Sequence, residues 1–250
     1  MNAPPSLIRY DTSPRSDLVR FFRVFRLAGR DLFEQMFVLG LTNIAAMLLL
    51  GAWTALPQLL PLAAFAPPLL AGLWSAAARV ARAEETSFHD VWEGAQDHFA
   101  RSWLLAAVSV VVYGVVWMNI TFYTQENVPL PFEAGPWVVT LLLTFWLLAG
   151  IFWTLYWSYI LAWLTFEEPH LWPALKGAAW LLISHGPFTI LLAVLIALFF
   201  VLNTFVHGLL LFITWAVLAC FTTRSVQVLL HGIPQELPPE VLERILEQQR

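Results

Sequence analysis

The chain has 250 residues, 59% of them hydrophobic and 12% charged, with a mean hydropathy of +0.70 and a formal net charge of -4. A soluble domain carries about 25% charged residues, so an ordinary cytosolic enzyme, a disordered chain and a nucleic-acid binder are excluded. One cysteine excludes a disulfide framework and a multi-cysteine metal site.

Residues 1–35 form an Arg-rich cytoplasmic arm. Ser13-Pro14 offers a cap and a first-turn proline, which predicts an amphipathic helix over 14–34. Arg20, Arg23, Arg26 and Arg30 share one face; Phe21, Phe22, Val24, Phe25, Ala28 and Leu32 share the other. That is an interfacial pattern, with the arginines near anionic head groups. No short apolar run with a small-residue cleavage site precedes residue 36, so the first span is expected to act as an uncleaved anchor.

The transmembrane domain is read over 36–230 from four gaps that contain no charged residue. They lie between Glu34 and Arg79, Arg101 and Glu126, Glu133 and Glu167, and Lys176 and Arg224. Crossing about 30 Å of hydrocarbon takes about 20 apolar residues. The gaps therefore predict about six spans, near 36–56, 59–80, 102–122, 136–166, 187–205 and 208–229, or five if the Pro-rich second segment is re-entrant. All 13 Lys and Arg then fall on one side or at helix ends facing it, which places both termini in the cytoplasm. The expected fold class is all-α and polytopic, with interfacial helices lying on the bilayer.

Pro61, Pro67 and Pro68 crowd the second span. Proline removes a donor and clashes one turn back, so they mark a candidate broken helix. The ordinary reading is a kink; the functional one is a substrate site on unwound backbone. Ala64, Pro68, Gly72 and Ala76 recur every fourth residue, a face that lets a neighbouring helix approach closely.

Two segments look alike. One begins Glu84-Glu85 and carries Gly94-Ala95; the other begins Glu167-Glu168 and carries Gly177-Ala178. The spans that follow end similarly, at Asn119-Ile120-Thr121-Phe122 and Asn203-Thr204-Phe205. One register relates them, which predicts a parallel internal repeat of about 58–122 and 137–205. Glu84, Glu85, Gly94, Glu167, Glu168 and Gly177 are thus candidate cytoplasmic docking residues. Asn119, Asn203, His207, Tyr156 and Trp163 are candidates for a polar and aromatic pocket open to the outside. Interhelical hydrogen bonds and core packing are the plainer roles for these types.

No hydrolase elbow, zinc-protease motif or phosphate loop occurs in the chain, so no catalytic residue, cofactor or metal ligand is assigned. The tail, 231–250, is read as cytoplasmic. Pro239 and the apolar positions Val241, Leu242, Ile245 and Leu246 predict a short helix docked within the same chain.

Asn43, the Pro- and Ala-rich stretch through Pro67-Pro68-Leu69-Leu70-Ala71-Gly72-Leu73-Trp74, then Arg79, Arg82, Glu84-Glu85, Phe99 and Arg101-Ser102-Trp103 together resemble the YesL-like family of small bacterial multi-pass membrane proteins. The similarity covers 41–103; later spans are alike in layout only. The resemblance implies a bacterial cytoplasmic-membrane protein that assists carbohydrate uptake, and it carries over no catalytic residue. The expected function is a non-enzymatic accessory or permease-like subunit with a membrane or cytosolic protein partner. The alternative is a membrane enzyme or lipid-binding protein using the outer pocket.

Overall fold

A computed structural model describes residues 9–11, 16–55, 64–125, 136–167, 170–205 and 209–235. Among these residues there are nine helices: α1 (Asp17–Glu34), α2 (Met36–Ala55), α3 (Ala66–Ala81), α4 (Phe88–Asp97), α5 (Phe99–Tyr123), α6 (Pro136–Phe166), α7 (Leu171–Ser184), α8 (Gly186–Phe205) and α9 (Leu209–Leu230). Two three-residue strands, β1 (Arg9–Asp11) and β2 (Ile233–Gln235), pair antiparallel, with Tyr10 opposite Pro234. Proline lacks the donor a ladder needs, which fits so short a pair. The fold is all-helical apart from that contact between the two ends of the chain. Residues 236–250, with the expected tail helix, lie outside the described residues.

Three helices are long and apolar enough to cross a bilayer: α5, α6 over Trp137–Phe166, and α9 over Ile213–Leu230. The pairs α1–α2 and α7–α8 pass the same criterion jointly, bent by 85° and 97°. Length and composition therefore give three to five spans, where the charge gaps predict about six. Helices α2 and α8 pass only within those bent pairs, and the expected span near 59–80 holds α3, before which 56–63 lie outside the described residues. The 16 residues of α3 reach about 24 Å at 1.5 Å each, less than the hydrocarbon thickness.

The chain runs three times through the same order: a helix, a one-residue break, a second helix, then a third. The breaks are Gln35, His98 and His185. All three lie near φ −110° (−113°, −105° and −115°) with ψ of 21°, 13° and 50°. This sparsely allowed region turns the chain without ending its hydrogen bonding; the N–H of each break residue still reaches back to a carbonyl of the helix before it.

Helices α3, α6 and α9 pack on one another at the centre. Each belongs to a different turn of the repeat order. They run in the same direction, since Trp74, Trp157 and Trp215 meet at one level and Arg82, Phe166 and His231 meet at the ends. Helices α2, α5 and α8 lie outside, each against inner helices. The helices before the breaks close the set: α4 on α3, α7 on α6, and α1 on α9. The first helix thus packs on the last, and the three units form a ring.

Most of the α9 span is buried, whereas α5 and α6 turn most of their apolar residues outward. The outer parts of α5 and α6 hold each other through Tyr113 with Thr154 at 2.8 Å and Trp153 Nε1 donating to Ser109 at 3.2 Å.

Candidate functional site

Pro67 and Pro68 lie in the first turn of α3, which begins at Ala66. A missing N–H costs nothing there. They start the described helix rather than interrupt it, and the stretch before Ala64, where the rest of the candidate break falls, lies outside the described residues. Pro61 lies outside the described residues. The small-residue face does admit a neighbour: a Cβ on Gly72 would overlap the carbonyl of Val91 in α4.

Among the described side chains, Asn119, Tyr156 and Trp163 do not meet at one place. Asn119 donates through Nδ2 to Val115 O at 2.7 Å, within its own helix. Tyr156 donates its hydroxyl to Leu175 O of α7 at 3.1 Å. Trp163 lies against Gly177 on that same helix. Tyr156 and Trp163 therefore fasten α7 to α6. Asn203 falls near the end of α8, and His207 lies outside the described residues.

Gly94 and Gly177 face inward. A Cβ on Gly94 would overlap the side chain of Ser75, and one on Gly177 the ring of Trp163. Both glycines let a short helix press on the inner helix before it. Glu84 pairs with Arg82 at 3.3 Å, Glu85 is exposed, and Glu167 bonds His231 Nε2. Glu168 lies outside the described residues.

The strongest cluster is one the sequence reading missed. Arg224 in α9 and Asp31 in α1 form a two-pronged pair, with Nη2 donating to Oδ1 at 2.7 Å and Nε to Oδ2. Both side chains are about 5% exposed. Nη1 of Arg224 also donates to Gln227 Oε1 at 2.6 Å and to Ala81 O at 2.9 Å, and Gln227 Nε2 donates to Ala81 O at 2.8 Å. A bidentate, charge-assisted pair with its remaining donors bonded is the arrangement that survives burial. It ties α1, α3 and α9 together. By charge placement alone Arg224 counts among the basic residues at helix ends facing the cytoplasm. The available signal was its depth, with Leu230 as the last helical residue and Gln227 one turn on.

One level further in, Trp74, Trp157 and Trp215 meet, with ring centroids 5.2, 5.5 and 6.5 Å apart. Trp74 Nε1 donates to Thr222 at 3.0 Å. Asn43 in α2 accepts through Oδ1 from the backbone N–H groups of Trp215 and Ala216, at 3.0 and 3.2 Å. At the ends of the inner helices, Arg82 stacks over Phe166 at 5.4 Å.

On α4, burial by itself would push the Asp90 carboxyl up. The N–H and hydroxyl of Ser87 and the guanidinium of Arg79 outweigh it and hold the group below the usual carboxylate range. At the break before α5, burial and then the charge of Arg101 hold the His98 imidazole below the usual histidine range.

Among the described residues, no group of three His, Cys, Asp or Glu could hold a metal ion. The clusters are polar fasteners between helices, and two apolar cavities open beside them. One, of about 190 Å³, lies between α2, α8 and α9 around Met47, Leu195, Trp215 and Phe221. The other, of about 490 Å³, lies between α2, α3 and the α4–α5 break around Leu49, Pro68, Trp92 and Phe99. The apolar helices fit a membrane protein. Comparison of the chain with protein-family models, with curated proteins and with solved structures finds no match.

Proposed function

We propose that the chain is a six-span protein of a bacterial cytoplasmic membrane, with both termini in the cytoplasm. It acts as a non-enzymatic accessory or permease-like subunit that receives a protein partner on its cytoplasmic end. The observation that carries this reading is the set of three helices before the breaks, α1 on α9, α4 on α3 and α7 on α6. Each of these helices presses one face on an inner helix and turns another outward. Outward residues include His89, Trp92 and Glu93 on α4, and Trp172, Pro173 and Lys176 on α7. The Asp31–Arg224 pair gives a partner on these helices a rigid link to the core.

The six spans are α2, α3, α5, α6, α8 and α9, with the one-sided Lys and Arg distribution setting their direction. The parallel repeat of 58–122 and 137–205 then covers α3 to α5 and α6 to α8, two successive stretches that share no helix. The link to carbohydrate uptake comes from the YesL-like resemblance alone.

Two measurements test the reading. Cysteines placed at Glu126 and Glu243 are labelled in intact cells; the buried Cys220 gives little background. Position 126 is expected to react from outside and position 243 only after permeabilisation, and external labelling at 243 rejects the topology. The tagged chain is then purified from its native membrane in mild detergent. A stoichiometric partner lost on Trp172→Ala with Lys176→Glu supports docking on these helices. Recovery of the chain alone from every detergent rejects it.

A further inference from the structure

Helix α1 has three faces rather than two. At about 100° per residue, the buried residues Phe21, Val24, Leu27, Ala28 and Asp31 form one sector against the protein. A second sector carries Leu18, Phe22, Phe25 and Phe33, which are apolar yet exposed, Phe33 at 82%. The third carries the exposed Arg23 and Arg26 together with Arg30. A helix that merely docked on the protein needs only the first sector. Exposed phenylalanines flanked by arginines are what a helix presents to a bilayer surface, rings toward the chains and guanidinium groups toward phosphate.

The second sector leads into a cavity. Phe25 stands edge-on to Phe221 at 5.5 Å, and Phe221 lines the apolar cavity of about 190 Å³ between α2, α8 and α9. Thr214 is its one polar side chain besides the Trp215 indole. The cavity is apolar and lies at the side of the inner helix; α1 reaches it through the Phe25–Phe221 contact and carries its arginines on the adjoining sector. An occupant that matches both has a long hydrocarbon chain and an anionic head at one end.

We infer that α1 and this cavity hold an anionic phospholipid of the cytoplasmic leaflet, part of one acyl chain between α2, α8 and α9 and its phosphate on the arginine sector of α1. The inference requires the membrane reading and is independent of any accessory role. A cationic sector beside a preformed cavity gives the site selectivity for head-group charge, and the cavity gives it affinity for the chain.

Native mass spectrometry of the full chain in detergent tests this, with phosphatidylglycerol or phosphatidylcholine of identical acyl chains added. Phosphatidylglycerol is expected to be retained about tenfold better, since each arginine near the surface favours anionic lipid. Arg23→Gln with Arg26→Gln should bring its retention down to the phosphatidylcholine level without changing the latter. Leu195→Trp, which fills the cavity, should lower retention of both lipids; Met47→Trp serves if that variant does not fold. Equal retention of the two lipids by the wild-type chain overturns the head-group assignment. Unchanged retention in a folded cavity-filled variant overturns the chain assignment. Lipid-free chain that purifies as a dimer through α1 assigns the face to protein contact and overturns both.

Discussion

Arg224 and Asp31 show what a single pair can decide in an apolar bundle. Removing one partner of a buried pair leaves an uncompensated charge, at a cost of about 3–5 kcal/mol. Asp31→Leu is therefore expected to lower the melting temperature in detergent sharply, and Asp31→Leu with Arg224→Met to recover most of the loss. An unchanged melting temperature in the single variant would show that water reaches the pair. His98 makes the second residue-scale prediction. Its folded-state pKa is depressed by burial and by Arg101, so the unfolded chain binds its proton more readily. Its share of stability is present above about pH 6.5 and is lost as pH falls below that. Asp90, also held low, loses its share only as pH falls further, through its own depressed carboxylate range. Melting temperatures compared between pH 7.5 and 5.5 should therefore fall less in His98→Gln than in the wild-type chain; parallel profiles reject the assignment.

At the scale of an element, the short helices depend on close approach. Gly177 lies under the Trp163 ring, and a Cβ there has no room. Gly177→Leu is expected to lose about 1–3 kcal/mol as an overpacked contact, with α7 released to protease digestion. Gly114 in α5 has nothing within 4 Å of a built Cβ, so Gly114→Ala should be neutral or gain about 0.5–1 kcal/mol in the helix. If the two glycines respond alike to substitution, contact with an inner helix is not what sets the position of α7. The turn from α3 into α4 holds Ala83 at φ 61°, a left-handed conformation that costs a non-glycine residue about 1–2 kcal/mol. Ala83→Gly should raise the melting temperature, and a decrease would mean that the methyl group packs.

At the scale of the whole molecule, the ring closes through α1 on α9. Deleting 1–35 removes Asp31 and uncovers a central helix. The expected outcome is loss of monodisperse protein, restored when 1–35 is co-expressed as a separate segment. A well-behaved truncated chain would show that α1 is an appendage. The tail carries a milder expectation. If 236–250 docks within the chain, its removal lowers the melting temperature, and an unchanged value rejects that docking.

The span edges were legible because they are local. Hydrocarbon excludes charge, so the gap from Glu133 to Glu167 marks one long helix expected at 136–166, and α6 runs Pro136–Phe166. The same logic located α5 and α9 to within a few residues. At the expected span near 59–80 the described helix begins at Ala66, and residues 56–63 lie outside the described residues. The candidate site was scarcely legible. In a bilayer the outside of a helix is as apolar as the inside, so hydropathy carries no sign of which face packs. Nothing in the sequence therefore separated Trp74, Trp157 and Trp215 at the centre from Trp117 and Trp137 on the outside. Gly94 and Gly177 stood out by their shared register, but whether they faced a partner or this chain depended on Ser75 and Trp163, which lie in the preceding inner helices. Asp31 and Arg224 are nearly two hundred positions apart. Each reads as a surface charge on its own helix, and only the closure of the ring brings them together away from water.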